Sequence, residues 1–378
     1  MEDRSAKRAV RARSLFAPLP CPARIAAMRK PLLAITMGDP AGVGPETIAG
    51  AWIDPALHHC CRPVVVGHPQ ILRRAVALLG LPLEVVEVAS PEEAPPSPAL
   101  LPCLAAVRDD ALDVPAGAID ARAGQAAYDA LLAAARLALA GEIDGLVTAP
   151  LNKAALHRAG HDYPGHTELL AELCGVDDFA MMLYLGPAPP LRGDAGLGVV
   201  HVTLHTPLRG VFAQLSTESI LAKIHLANRV MTALKNGPPR MGVCALNPHA
   251  GEEGLFGDDE RRIIEPAVAR AREEGIDAAG PFPADSLMVR ARDGEFDGVV
   301  AMYHDQGHIA LKLLGMHRAV NVTLGLPIVR TSVAHGTAFD LAWQGRAKCG
   351  SMVEAVRVAA RLAELRAAGG VFAGRTRT

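Results

Sequence analysis

Six short apolar runs, rich in valine and leucine, alternate along this chain with longer segments that have the spacing of amphipathic helices. The runs span residues 32–36, 63–67, 145–149, 198–204, 241–246 and 298–303. The helical segments span residues 46–52, 71–79, 124–139, 217–234, 260–274 and 351–367. Runs this short and this apolar suit strands that are covered by helices on both faces. The alternation therefore predicts an α/β fold with a largely parallel sheet.

The composition restricts the class of protein. The chain has 378 residues, of which 50% are hydrophobic, and a formal net charge of -2. This balance gives no general attraction to nucleic acid or to an anionic membrane, so neither is expected as a partner. The seven cysteines are odd in number and form no C-x-x-C pair, which indicates a reducing, cytoplasmic location.

The first 29 residues differ from the rest of the chain. Arginine and lysine are scattered there among small residues, without the apolar core of a secretory signal. We interpret residues 1–29 as a disordered basic tail. Met28 precedes the first predicted strand and is an alternative start of the natural chain.

Three histidines follow the ends of three predicted strands: His205, His249 and His304. The carboxyl ends of parallel strands lie at one edge of a sheet, where ligand-binding and catalytic residues are usually found. A single histidine in such a position is more often a hydrogen-bonded loop residue than a metal ligand. Three of them together favour a catalytic divalent metal, because three neutral imidazoles leave an open coordination position.

Polar residues near these histidines indicate an anionic substrate. Lys312, Asn321 and Arg330 follow His304 within one short region. A lysine and an arginine beside a metal favour a substrate with a phosphate and a carboxylate, although such residues are more often solvated at the surface. His166 lies where a helix is predicted to begin, and there it either contacts an anion or packs against its neighbours.

The glycine-rich stretch MGDPAGVGPE, at residues 37–46, has neither the lysine of a P-loop nor the spacing of a dinucleotide fingerprint. Pro45 suits the first turn of a helix after Gly44. We predict that this helix N-terminus lines a cofactor cleft.

Several blocks of the sequence resemble the 4-hydroxythreonine-4-phosphate dehydrogenase family, often called PdxA, over residues 32–363. The blocks are ITMGDPAGVGPE, TAPLNKAAL, YPGHTELLAE, LNPHAGEEGLFGDDE, GPFPADSL, MYHDQGH and VNVTLGLPIVRTSVAHGTAFDLA. The resemblance implies an isocitrate/isopropylmalate dehydrogenase-like fold, with two α/β/α domains and a cleft between them. The first domain would comprise residues 30–150 and 300–370, and the second, with a dimer interface, residues 151–299.

The resemblance also implies roles for individual residues. It makes His205, His249 and His304 the ligands of the divalent metal. It places His166, Thr167, Lys312, Asn321 and Arg330 on the phosphorylated substrate. The segment HGTAFDLAWQGRA is similar to the cofactor loop of the wider superfamily, so His335, Gly336 and Thr337 are expected at the cofactor. Ala334 stands where most relatives carry an acidic residue.

The implied reaction is a metal-dependent oxidation of the C3 hydroxyl of a 4-phosphorylated four-carbon acid by NAD, with decarboxylation. With 4-phosphohydroxy-L-threonine it gives 3-amino-2-oxopropyl phosphate, in pyridoxal phosphate synthesis. The alternative substrates are 4-phospho-D-threonate and 4-phospho-D-erythronate, which give dihydroxyacetone phosphate. Lys153 and Asp305, each at a strand end, are the candidate general bases.

The implied cofactors are NAD, with NADP as an alternative, and a divalent metal. Zinc is the first choice of metal, and manganese, cobalt, nickel and magnesium are alternatives. The implied assembly is a homodimer with a shared active site. A phosphate acyltransferase of related fold is a distant alternative that needs no metal-binding histidines, and a non-catalytic metal-binding protein is a third.

Overall fold

The structure is a computed structural model that describes residues 29–95 and 97–369. Residues 1–28, which hold nearly all of the predicted basic tail, lie outside this range. The strands of the described chain are β1 (Leu32–Thr36), β2 (Arg62–Gly67), β3 (Glu84–Val88), β4 (Leu100–Ala105), β5 (Gly145–Thr148), β6 (Ala180–Leu185), β7 (Leu197–His201), β8 (Met241–Cys244), β9 (Ala278–Phe282), β10 (Gly298–Ala301), β11 (Val320–Leu324) and β12 (Arg330–Val333).

Helices connect most of these strands. The α-helices are α1 (Gly44–Trp52), α2 (Pro55–Cys60), α3 (Pro69–Leu78), α4 (Ala121–Ala140), α5 (Lys153–Arg158), α6 (His166–Leu173), α7 (Leu208–Gln214), α8 (Thr217–Lys235), α9 (Glu265–Glu273), α10 (Ala284–Arg292), α11 (His304–Gly315) and α12 (Gly350–Ala367). A π-helical turn, Glu260–Ile264, leads into α9, and 3₁₀ turns span Pro91–Glu93, Asp109–Asp113 and Pro248–Gly254. All six predicted runs and all six predicted helices are confirmed, with shifted ends.

The strands of the described chain form one sheet, in the order β3-β4-β2-β1-β5-β12-β11-β6-β7-β10-β8-β9. The pairings are parallel except for three at the centre, where β11 pairs with β12 and β6, and β6 pairs with β7. The prediction of a largely parallel sheet is therefore confirmed. The strands β7, β10 and β8 are parallel neighbours, which brings the residues that follow them to one edge.

The long helices begin and end at residues that satisfy the free backbone groups. Asp120 caps α4 by accepting a hydrogen bond from the Arg122 amide, and Gly141 ends that helix in the left-handed region, at φ 76°. Ser216 and Ser219 form a capping box at the start of α8. Each helix then buries one apolar stripe against the sheet, as the sequence pattern predicts.

The division into two domains remains a prediction. The predicted boundary at residue 300 falls inside β10, whose neighbours in the sheet are β7 and β8. Strand β11, assigned to the first domain, pairs with β6 of the second. Within the described residues, no helix combines the length and apolar character needed to cross a membrane.

Candidate active site

A cavity of about 300 Å³ lies at the centre of the sheet, beside the ends of β5 and β12. Most of the residues predicted for the substrate, the metal, the cofactor or proton transfer line it, although they are spread over the sequence. Those residues are Lys153, His166, Thr167, His205, His304, Lys312, Asn321, Arg330, His335 and Gly336. The fold therefore brings together ten of the predicted site residues in one cavity.

Arg330 is the most deeply buried cation of this cavity, with 3% of its surface exposed. Its guanidinium donates hydrogen bonds to the hydroxyl groups of Thr323, at 2.9 Å, and Thr148, at 2.6 Å. Its Nε atom has no hydrogen-bond partner in the described structure. Burial lowers the pKa of Arg330 to about 10, while the charge of Glu168 acts in the opposite direction. A buried guanidinium with two hydroxyl partners is suited to an anion.

Helix α6 begins at His166, so the backbone amides of its first turn are free to bind an anion. Thr167 and Glu168 of the same turn also line the cavity. Burial, followed by the charge of Arg330, holds the pKa of His166 well below its usual range. His166 is therefore a neutral polar group beside the arginine.

Two lysines add positive charge to the cavity. Lys153 is the first residue of α5, where the side chain of Asn152 caps the helix by accepting from the Ala155 amide at 3.0 Å. Lys312 lies on α11, two turns after His304. Glu168, Lys153, Lys312 and Arg330 are the charged side chains in the cavity lining, so positive charge exceeds negative charge there.

His205 and His304 lie close to each other, with ring centroids 5.8 Å apart. Asp305 accepts a hydrogen bond from Nδ1 of His304 at 2.7 Å, which leaves Nε2 as the nitrogen of that ring that a metal could use. Burial, followed by the charge of Lys153, lowers the pKa of His205 and so favours its neutral, metal-binding form. Asp305 lines a neighbouring groove of about 280 Å³, which shares these two histidines with the cavity.

Within one chain, His249 lies apart from the pair His205 and His304, and its role as a metal ligand stays a prediction. Its side chain is 70% exposed and its Nδ1 atom pairs with Glu252 at 3.1 Å. Among the described residues, no three side chains of one chain converge as metal ligands.

The conformation of the loop after β8 explains this separation. Glu260 accepts hydrogen bonds from the amides of Leu246, at 2.9 Å, and Asn247, at 2.7 Å, and so anchors the beginning of the loop. Residues 249–253 then have left-handed backbone angles, beginning with φ 53° at His249. The His249 ring consequently lies against Phe256, with ring centroids 5.9 Å apart.

A second pair of histidines, His201 and His308, adjoins the metal-ligand candidates and was not predicted from the sequence. His201, the last residue of β7, lies 3.1 Å from His308 on α11, measured from Nε2 to Nδ1. His308 lines the cavity and stacks on His304, with ring centroids 3.8 Å apart. Burial lowers the pKa of His201 to about 3 and that of His308 to about 4. The spacing of His304 and His308 by four residues places them on one helix face, a signal that the sequence contains.

A second cavity, of about 620 Å³, shares His335 with the first. Val43 and Thr47 line it, at the start of α1, as do the cations Arg346 and Lys348. Thr337, predicted at the cofactor, lines neither of these cavities; its carbonyl accepts a hydrogen bond from the Val43 amide at 3.0 Å. Thr337 thus holds the loop before α1 in place.

The chain is similar to a known protein family over most of its length. The model of a family described as pyridoxal phosphate biosynthetic protein PdxA matches residues 59–359. A 4-hydroxythreonine-4-phosphate dehydrogenase of Trichlorobacter lovleyi is 47% identical over 341 residues, which cover 89% of this chain and 99% of that protein. A D-threonate 4-phosphate dehydrogenase of Salmonella typhimurium is 45% identical over 341 residues, covering 89% of this chain and 100% of that protein.

A solved structure shows the same fold. The crystal structure of a 4-hydroxythreonine-4-phosphate dehydrogenase from Klebsiella pneumoniae matches with a TM-score of 0.78 and 45% identity, covering 88% of this chain and 99% of that one. The family resemblance and the α/β fold are both confirmed. The relatives carry two different substrate names, so they do not select one substrate for this chain. The chain belongs to the PdxA family of dehydrogenases.

Proposed function

We propose that this protein oxidises the C3 hydroxyl of a 4-phosphorylated four-carbon acid with NAD, and that decarboxylation follows. The observation that carries this proposal is Arg330, a buried cation that lines the cavity and whose guanidinium has only hydroxyl partners among the described residues. A phosphate group beside Arg330 would supply the missing negative charge and accept the hydrogen bond of Nε. The free amides at the start of α6 would contribute further donors.

A divalent metal fits the residues present, provided that a second copy of the chain supplies one ligand. Imidazole nitrogens suit zinc and related cations, and His205 and His304 offer two of them beside the cavity. We propose His249 of a partner subunit as the third. Such a cation would supply Lewis-acid stabilisation of the negative charge that develops on oxygen during oxidation and decarboxylation.

Exposed apolar residues support a homodimer. Leu208 and Phe212 of α7 are 63% and 60% exposed, and Leu208 borders the groove next to His205 and His304. Leu255, in the loop that carries His249, is 74% exposed. Leu208 and Phe212 are four residues apart on α7 and so share one helix face, and an exposed apolar patch of this kind is typical of an interface. A second copy that covers α7 with its own 249–256 loop would bring its His249 toward the groove.

The remaining groups of the site have proposed roles in binding and proton transfer. Lys153 is the proposed acceptor of the hydroxyl proton, because it lines the substrate cavity. Asp305 instead orients His304 from the neighbouring groove. The second cavity is the proposed site of NAD, since it adjoins the first at His335 and its cations, Arg346 and Lys348, suit a pyrophosphate. A cytoplasmic location is part of the same proposal.

NADH formation by the purified protein tests this function. The substrates are 4-phosphohydroxy-L-threonine, 4-phospho-D-threonate and 4-phospho-D-erythronate, each assayed before chelation, after chelation and after metal restoration. We expect turnover of at least one acid, its loss on chelation and its return with a divalent metal. Absence of metal-dependent turnover with all three acids would contradict the proposal.

A further inference from the structure

The hydrogen bonds of His201 fix the positions of the protons on both rings of the His201–His308 pair. Nδ1 of His201 lies 3.4 Å from the carbonyl oxygen of Met181. A carbonyl oxygen can only accept, so Nδ1 of His201 carries a proton. His201 is fully buried and neutral, and its Nε2 is therefore an acceptor. His308 must then donate to it from Nδ1.

This arrangement leaves Nε2 of His308 without a proton. A neutral imidazole has one donor and one acceptor nitrogen, and in His308 the donor is engaged with His201. His308 lines the cavity and lies face to face with His304, so its acceptor nitrogen lies where the cavity is lined by the metal-ligand candidates. The cavity thus contains a preorganised acceptor at this end.

We propose that His308 is a specificity-determining residue, whose Nε2 accepts a hydrogen bond from the substrate hydroxyl next to the reacting carbon and so selects a hydroxy acid over an amino acid. This inference rests on the proposed function. His201 is the positioning residue that holds His308 in the accepting tautomer. The protein would accordingly act on a 4-phosphorylated dihydroxy acid.

The charge of the cavity explains why a hydroxyl is preferred to an ammonium group. With Lys153 neutral as the proton acceptor, Lys312 and Arg330 still face one carboxylate, that of Glu168, in the cavity lining. An ammonium group on the substrate would add a further positive charge in this cation-rich space. The neutral ring of His308 provides a hydrogen-bond acceptor but no negative charge to offset it.

Binding to the metal-loaded wild-type dimer and its variants tests the inference by calorimetry. The ligands are 4-phospho-D-threonate, its 2-deoxy analogue and its 2-amino analogue of the same configuration. The variant His308→Phe keeps a ring to stack on His304 and removes both nitrogens. For the wild type we expect the loss of the hydroxyl to weaken binding about tenfold, the size of a net hydrogen bond of this kind. We expect the amino analogue to bind still more weakly.

The variants distinguish loss of the hydrogen bond to the substrate hydroxyl from a general loss of ligand binding. His308→Phe and His201→Phe should each weaken binding of the hydroxy acid about tenfold. The affinity for the 2-deoxy analogue should change less than about twofold. His201→Gln, whose amide oxygen can accept from His308, should restore the preference. His225→Phe, a histidine replaced outside the cavity, should leave all affinities unchanged.

Two results would overturn the inference: equal weakening of the hydroxy and deoxy ligands in His308→Phe, or equal affinity of the wild type for the hydroxy and amino acids. NADH formation with the same ligands distinguishes failure of the proposed function. If the hydroxyl preference is present but no acid is oxidised, the dehydrogenase proposal fails and the role of His308 stands. If an acid is oxidised but the hydroxyl preference is absent, the dehydrogenase proposal stands and the role of His308 fails.

Discussion

At the scale of single residues, Arg330 offers the most direct test of substrate binding. Lysine at this position would keep the positive charge but could not bridge the hydroxyls of Thr148 and Thr323 together. We expect Arg330→Lys to lower kcat/KM about 100-fold, mostly through a higher KM for the phosphorylated acid, because two to three charge-assisted hydrogen bonds are weakened. Steady-state kinetics with each substrate varied in turn measures this.

The KM for NAD should change little in Arg330→Lys, because Arg330 does not line the second cavity. Arg357→Lys, on the exposed side of α12, is the matched control and should retain the kinetics of the wild type. An unchanged KM for the acid in Arg330→Lys would show that Arg330 does not bind the substrate.

Asp39 makes stability depend on pH. Its carboxyl group is fully buried, Oδ1 accepts from the Ala41 amide and Oδ2 has no partner in the described structure. Burial raises its pKa from 3.8 to about 6. The folded state therefore binds the proton more tightly than the unfolded state, and its stability falls as the pH rises from about 4 through about 6.

We expect Asp39→Asn to remove this dependence, because the amide keeps the acceptor for Ala41 and carries no charge. Relative to the wild type, the variant should gain up to about 3 kcal/mol of unfolding free energy between pH 4 and pH 8. Urea unfolding at several pH values measures the difference between the two proteins. Parallel curves over this range would count against a raised pKa for Asp39.

At the scale of elements, the packing of α4 on α5 positions Lys153. Gly124 lies where the added Cβ of any other residue would meet the backbone of Ala155, at the carbonyl oxygen. Alanine is favoured over glycine in a helix by about 1 kcal/mol, but overpacking against rigid backbone costs about 1–3 kcal/mol and should prevail. Gly124→Ala should therefore lower the unfolding free energy and displace α5.

Displacement of α5 moves Lys153 away from the cavity, so kcat should fall more than tenfold even where the protein remains folded. Chemical unfolding and steady-state kinetics measure the two effects. Gly186→Ala is the matched control, because nothing lies within 4 Å of its added Cβ. Unchanged kcat in Gly124→Ala would show that α5 tolerates the shift or that Lys153 is not the base.

The elements also show what a sequence can reveal. Strands β1, β5 and β10 were predictable because each is a continuous apolar run buried on both faces. Strand β12 begins with Arg330 and consists mostly of polar residues, so hydrophobicity could not identify it. The strand is buried, and hydrogen bonds inside the fold satisfy polar groups such as the guanidinium of Arg330. Strand β9 contains glycine and proline, which are usually signals of a turn.

Some positions of the site residues were also predictable from the sequence, and others were not. His205 and His304 follow predicted strands, so their proximity could be inferred from strand ends alone. The position of His308 would also have required a helix that begins at His304, and α11 is not among the predicted helices. The orientation of His249 depends on a run of left-handed backbone angles, which the sequence NPHAGEE does not announce because only one of those residues is glycine.

At the level of the whole molecule, we propose that two copies of the chain complete one metal site. His205 and His304 belong to one subunit, and His249 of the partner subunit is the proposed third ligand. Loss of one of three ligands should abolish metal-dependent turnover, so His249→Ala and His304→Ala homodimers should each be inactive. A heterodimer of the two variants distinguishes a shared site from a site within one chain.

If the site is shared, one site of that heterodimer is intact: the His249→Ala chain supplies His205 and His304, and the other chain supplies His249. The second site lacks two ligands. The most direct measurement is therefore the turnover of the heterodimer, co-expressed with two different tags and purified through both. We predict about half of the wild-type rate per dimer. A heterodimer as inactive as either parent homodimer would contradict it, because a site built within one chain cannot be restored by this combination.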